Sequence, residues 1–421
     1  MFTPHRVRDI ELSRPFEPAD GADRGAPLNA LVRWHGVPLG RFIRGAGECP
    51  ASTADVLALL PEYQRRLLLR ENVRAALEAQ GSGPVSFADI VTATQHKPSG
   101  PFPLVTVAVC TRDRPDDLAI CLDSLLCVEY PALDLLVVDN APRTQGTARL
   151  IATRYSTVRL VIEPKPGLDR ARNRAIREAR GEILAFADDD TVVDPGWVAA
   201  LVNVFRVDPV VMAVTGLVVP FELETEAQDA FERYGGFGRG FERRWHSFSR
   251  REGTHPHHIG SGIYGTGANM AYRRTVFDQI GEFDPALDVG TPTDGGGDLD
   301  MFFRVVEHEM LLVYEPAAVV RHRHRRSFAE LRRQIVGWGT GFYSYLARNA
   351  SRFPERRWAI IRFGVWYLWW RYVKGLVASL RAPWSARSRL LRAEARGVLL
   401  SLARYRRARN LSAWLDDAPA G

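Results

Sequence analysis

The chain has 421 residues, 46% hydrophobic and 25% charged, which are the proportions of a folded globular protein. Lys and Arg number 56 against 49 Asp and Glu, a formal +7, and lysine occurs only at Lys97, Lys165 and Lys374, so the basicity is arginine. Much of that arginine follows Arg321 beside aromatic residues, which favours an anionic lipid surface over nucleic acid as the basic region's partner. Cys49, Cys110, Cys121 and Cys127 show neither paired zinc spacing nor a disulfide framework. The opening MFTPHRVRDIELSRP lacks the apolar run of a signal peptide, and no uncharged apolar stretch reaches 18 residues; a cytoplasmic setting is expected.

Residues 1–100 read as an accessory α+β unit. A hairpin is expected over 30–43, turning at Gly-Val-Pro, followed by a helical stretch that Ser52 or Thr53 caps and that runs to Glu78. The unit carries no catalytic motif, and HKPSGPFP (96–103) reads as a linker. From Leu104 short apolar runs alternate with amphipathic segments: strands over 105–110, 133–138, 158–162 and 182–187, helices over 115–126, 147–154 and 169–179. Such alternation predicts an α/β fold, a mostly parallel sheet with helices on both faces. Ligands bind beyond the carboxyl ends of such strands. Thr111-Arg112-Asp113, Asp139-Asn140 and Asp188-Asp189-Asp190 all fall there.

The stretch GEILAFADDDTVVDP (181–195) is the most informative. Three adjacent carboxylates repel unless a cation or a set of donors offsets them. At the end of a buried strand they point to a divalent metal with oxygen ligands, Mg2+ or Mn2+; the alternative is a solvated acidic turn.

VTVAVCTRDRP (105–115), LLVVDNAP (135–142), GLDRARNRAIREARGEILAFADDD (167–190), GTGANMAYRR (265–274), IGEFDPAL (280–287) and GGGDLDMFFRV (295–305) follow one another in the order found in family 2, GT-A fold glycosyltransferases, which the chain resembles over residues 103–325. The resemblance implies a Rossmann-like sheet and an inverting, metal-dependent transfer from a nucleotide-sugar. It implies that Thr111, Asp113 and Asp139 bracket the base and ribose, that Arg170, Arg172 and Asn173 reach the diphosphate, and that Asp188 and Asp190 are the DxD pair. Asp189, Gly267 and Asn269 join the donor site in the same reading. Asp298 is implied as general base, although Gly297 stands where another acid is common, so Asp300 stays open as the base or as an acceptor contact. His322 or His324, after the apolar run 311–320, would complete the metal shell. The loop GTPTDGGG (290–297) is expected to close over bound donor, and His255, His257 and His258 to line an acceptor-side loop.

Beyond Arg321 the composition shifts. Glycines 337, 339 and 341 predict a weakened helix or a helix pair over 331–346, and the aromatic stretch 358–380 with Arg362, Arg371 and Lys374 predicts an interfacial helix. The arginines over 381–409 suit anionic lipid, and the last six residues are expected to be disordered. The sequence thus divides into an accessory unit (1–100), a GT-A domain (101–328) and a helical, membrane-associated region (329–421). The implied partners are a UDP- or dTDP-type sugar and a glycan or glycolipid acceptor. Two rivals are a non-catalytic glycan- or membrane-binding scaffold and a sugar-1-phosphate nucleotidyltransferase. The intact acids disfavour the first; CTRDRP, which supplies no Gly-rich nucleotide loop, disfavours the second.

Overall fold

In the computed structural model, residues 2–16, 25–80, 102–248 and 258–417 are described. The N-terminal unit is a sheet of β1 (Arg6–Glu11), β2 (Leu28–Trp34) and β3 (Val37–Arg44), with β1 parallel and β3 antiparallel to β2. The hairpin turns at His35-Gly36 rather than at Gly-Val-Pro. Both turn residues have positive φ, 48° and 80°, as a two-residue loop between twisted strands requires, and Val37 and Pro38 already pair with β2. The helical stretch is two helices, Thr53–Leu59 and Glu62–Gln80. Leu60 is extended (ψ 135°) because the next residue is Pro61, which clashes with a helical predecessor. The expected linker lies outside the described residues except for Phe102 and Pro103.

The large sheet contains β4 (Val105–Thr111), β5 (Leu133–Asn140), β6 (Arg159–Glu163), β7 (Ile183–Asp188), β8 (Thr191–Val193), β9 (Val211–Pro220), β10 (Arg244–His246), β11 (Asn269–Arg273) and β12 (Leu311–His322). Its order is β10-β12-β9-β11-β7-β4-β5-β6, with β8 paired to β12. From β6 to β7 every pairing is parallel; β11 then runs antiparallel between β7 and β9, and β9 and β12 are parallel again.

Alternation along each strand sends side chains to opposite faces. Val107 and Val109 of β4 pack with Leu118, Leu122, Trp197 and Leu201 from the helices Pro115–Leu126 and Trp197–Val207. Ala108 of β4 and Leu184 and Phe186 of β7 pack on the other face with Ala171, Ala175, Phe302 and Val305 from the helices Leu168–Glu178 and Gly297–Glu307. Each such Val, Leu or Phe contributes about 1.5–3 kcal/mol by leaving water, so the two layers hold the strand ends rigidly.

The glycine-containing stretch after β12 is one helix, Phe328–Arg352, started by a Ser327/Glu330 capping box. Its glycines are points of contact with the helix Ala386–Asp417. A Cβ at Gly339 would sit 2.1 Å from the Glu394 carbonyl oxygen, and one at Gly397 would sit 2.1 Å from that of Val336. Two backbones meeting at that distance outweigh the helix propensity lost at each glycine, about 1 kcal/mol. The aromatic stretch is helical throughout: Arg357–Tyr367 and Lys374–Ser379 are joined without a break by a π-helical segment, Leu368–Val373. Asp416 and Asp417, expected to be disordered, end the Ala386–Asp417 helix; residues 418–421 lie outside the described residues.

Candidate active site

β7 ends at Asp188, and the chain turns through Asp189 and Asp190 directly into β8. Because β8 pairs antiparallel with the end of β12, in the register Thr191 to His322, the third acid is set beside that histidine. His322 Nε2 lies 3.2 Å from Asp190 Oδ1, and the Arg323 backbone N–H donates to the Asp190 carbonyl at 2.9 Å. Asp188, Asp190 and His322 each offer one ligand atom, and these atoms all lie within 4.8 Å of one another. Two carboxylate oxygens and an imidazole nitrogen so spaced form a donor set for one divalent cation.

Cations of the chain flank the acids. Arg114 forks onto Asp189 Oδ1 at 2.6 Å and Asp190 Oδ2 at 3.2 Å, the Thr111 hydroxyl donates to Asp189 Oδ2 at 2.7 Å, and Arg325 lies 3.5 Å from Asp190. Burial opposes ionisation of Asp190, but His322, Arg114 and Arg325 hold its carboxyl well below the ordinary range. Asp189 goes the other way: burial and the adjacent Asp190 push it up to about 7 against Arg114 and Thr111. Of the three, Asp188 is the most open, its side chain 32% exposed against 8% and 5% for Asp189 and Asp190.

The facing wall is the start of the Gly297–Glu307 helix. Asp298 accepts from the Gly267 N–H at 2.8 Å and from the Leu299 N–H at 2.9 Å, which fixes its half-buried carboxylate. Arg172 pairs with Asp169 of its own helix at 3.0 Å and reaches Asp188 at 3.8 Å, and its guanidinium lies near enough to Asp298 to feel its charge. The glycines leave room for charged side chains. A Cβ at Gly267 would lie 2.8 Å from the Arg172 guanidinium, and one at Gly297 would lie 1.8 Å from Asp169 Oδ2. That contact explains why no second acid stands at position 297.

Several residues expected at the site have their polar atoms engaged elsewhere. Asp300 is fully buried and pairs with Arg304 and Asn349, each at 2.8 Å, so it faces the C-terminal helices and not the cleft. Asn269 accepts from Trp197 Nε1 at 2.9 Å and donates to the carbonyls of Leu217 and Ala318, tying β11 to β9 and β12. Asn173 exchanges two hydrogen bonds with the Phe283 backbone. Arg170, on a different face of its helix from Arg172, pairs with Asp416 at 2.6 Å. Asp113, at φ 53°, braces the loop after β5 by accepting from the Arg143 and Thr144 N–H groups. Asp139 is buried at the end of β5, one oxygen has no hydrogen-bond partner among the described residues, and burial pushes its carboxyl up. The 290–297 loop is anchored: Thr293 is buried and bonded to Ala286 O, and Gly296 packs on the Gly341 backbone. His255 and His257 lie outside the described residues, while His258 is half-buried in a short turn.

Sequence reasoning missed Arg114 and Arg325 and did not connect His324 to any partner. His324 Nε2 lies 2.9 Å from Glu232, which Arg41 of β3 holds at 2.5 Å. Burial works to raise the Glu232 carboxyl, yet His324 and Arg41 bring it down to about 2. Arg114 left a local signal in the strand-end cluster TRDRP, and Arg325 in the basic run RHRHRR (321–326).

The family described as glycosyltransferase-like family 2 matches residues 102–341. Among curated proteins, polypeptide N-acetylgalactosaminyltransferase 5 of Caenorhabditis elegans is 29% identical over 202 residues, 47% of this chain and 30% of the relative. The pre-mycofactocin glycosyltransferase of Mycobacterium tuberculosis is 26% identical over 263 residues, 62% of this chain and 50% of the relative. The chain therefore spans half the length of these relatives or less. Among solved structures, the mannosyltransferase PcManGT of Pyrobaculum calidifontis, in complex with GDP-Man and Mn2+, is 18% identical with a TM-score of 0.49, covering 83% of this chain and 97% of that one.

Proposed function

The chain belongs to glycosyltransferase-like family 2, and from that premise we propose that it transfers a sugar, with inversion, from a nucleotide-diphosphate sugar to a hydroxyl of a cell-envelope, lipid-linked or polysaccharide acceptor. The observation that carries this reading is the meeting of Asp188, Asp190 and His322 within 4.8 Å at the end of β7, with Arg172 reaching Asp188 and lying near enough to Asp298 to feel its charge.

Asp188, Asp190 and His322 would hold a divalent cation, Mn2+ by preference for the imidazole and otherwise Mg2+, which would supply positive charge against the departing diphosphate. Arg172 adds a fixed positive charge on the same side. Asp139 and Thr111, at adjacent strand ends, receive the base and ribose; a carboxylate there suits the N–H of a pyrimidine, which favours a UDP- or dTDP-type donor. Asp298 is the general base. Its two backbone donors aim the carboxylate and leave each oxygen a free lone pair. As the acceptor oxygen bonds to C1 its proton passes to Asp298, and the C1–oxygen bond to the diphosphate breaks on the opposite face. Catalysis of this kind contributes about 10²–10⁴-fold. Asp300, Asn269, Asn173 and Arg170 support the walls from behind.

We assign the working location to the cytoplasmic face of a membrane, with the C-terminal helices as the docking region. Trp358 is 77% exposed, Trp369 55% and Trp384 84%, alongside exposed Val365, Leu380, Arg362 and Lys374. Indole rings interleaved with cations suit an anionic headgroup layer. Arg371 is not part of that surface, because it pairs inward with Glu394 at 2.9 Å. No helix among the described residues is long and apolar enough to cross a membrane.

Thermal stabilisation by a panel of nucleotide-sugars with Mn2+ tests the donor reading. One nucleotide class should raise Tm in a Mn2+-dependent way, and a panel in which no donor moves Tm would refute it.

A further inference from the structure

The metal-ligand triad is the end of a buried chain that starts in the N-terminal unit. A ligating imidazole must present a lone pair. If His322 offers Nε2, the nitrogen 3.2 Å from Asp190, its ring hydrogen sits on Nδ1. That Nδ1 lies 3.1 Å from His324 Nδ1, which must then accept. An imidazole that accepts at Nδ1 carries its hydrogen on Nε2, and His324 Nε2 lies 2.9 Å from Glu232 Oε1. A carboxylate oxygen accepts, so the direction of the whole chain is set at Glu232. The other oxygen of Glu232 receives Arg41 NH1 from β3 at 2.5 Å.

The rings cannot readily reorient. The His324 centroid is 4.6 Å from that of Phe231, the His322 centroid is 5.0 Å from that of Phe237, and Trp338 packs on both phenylalanines. Both histidines are buried, at 5% and 3% exposure.

We propose that Glu232, clamped by Arg41, is a positioning residue for the cation site: through His324 it fixes which nitrogen of His322 faces Asp188 and Asp190 with a lone pair. The N-terminal unit, which carries no catalytic motif, thereby contributes to the metal centre through one guanidinium. The inference rests on the reading of Asp188, Asp190 and His322 as cation ligands.

The test uses the full chain and Mn2+ alone, with free Mn2+ read by its EPR signal. Glu232→Gln keeps the side-chain size, but an amide has one oxygen and cannot serve both His324 and Arg41. Mn2+ affinity should fall about 10–100-fold in Glu232→Gln, the range typical of lost outer-shell partners. Arg41→Gln should weaken it less, and His322→Ala at least as much as Glu232→Gln. The 15N shifts of the His324 ring give a readout that a general loss of stability would not move: the Nε2–H form in the wild type, and loss of that preference in Glu232→Gln. Unchanged Mn2+ affinity in Glu232→Gln beside a weakened His322→Ala overturns the proposal while leaving the ligand reading intact. Unchanged affinity in His322→Ala overturns both. Should Glu232→Gln not fold, Arg41→Gln decides, because wild-type affinity together with a wild-type His324 pattern contradicts the clamp.

Discussion

Asp298 and Asp300 are two residues apart on one helix and lie in opposite kinds of environment. Asp298 is held by two backbone N–H groups and is partly open. Asp300 is sealed in the seam with the C-terminal helices, where Arg304 and Asn349 each donate to one of its oxygens. The difference separates a carboxylate that an incoming hydroxyl can reach from one buried against a cation of the fold. The same contrast divides Arg172 from Arg170, the first facing the acids and the second tied to Asp416.

The sharpest way to break the comparison is Asp298→Asn. Sugar transfer should fall by about 10²–10⁴-fold, with donor affinity nearly intact in a direct binding titration. Near-normal turnover would move the base elsewhere. Asp300→Asn should do the reverse, lowering stability by about 3–5 kcal/mol in denaturant unfolding because Arg304 loses its buried partner. If Asp300→Asn unfolds like the wild type and loses only turnover, the assignment of the two acids is inverted. Gly267→Ala comes next, since its methyl would crowd the Arg172 guanidinium and the Asp298 side chain, and donor affinity should fall. Wild-type donor affinity in that variant would remove Arg172 from the site. The smallest effect is expected at the surface: Trp358→Ala with Trp384→Ala should reduce co-sedimentation with anionic vesicles several-fold and leave Tm unchanged. Equal sedimentation would deny those indoles a membrane role.

The four parallel strands β4 to β7 were legible because strands buried on both faces leave continuous apolar runs, as in VTVAVC and EILAFA, and because acids at their ends stand out. Local sequence could not separate Asp298 from Asp300. Both are acids in the first turn of one helix, and one of the two partners that claim Asp300, Asn349, lies 49 residues away. Arg114 was overlooked for the same reason, since its acids lie 75 and 76 residues on. The glycines of the Phe328–Arg352 helix misled because propensity counts their cost and not the neighbouring backbone that requires them. His322 was legible by its place after the last strand; the path from it to Arg41 crosses 281 residues of chain (322 − 41) and exists only in the fold.

The central claim is that Asp188, Asp190 and the distant His322 together hold one cation so that a diphosphate can leave. Nucleotide-sugar hydrolysis or transfer, measured with Mn2+ and with chelator in the wild type and in Asp190→Ala, tests it most directly. The account predicts turnover in the wild type that chelator removes and Mn2+ restores, and none above background in Asp190→Ala under either condition. Turnover that chelator leaves untouched, or that survives in Asp190→Ala, would contradict it.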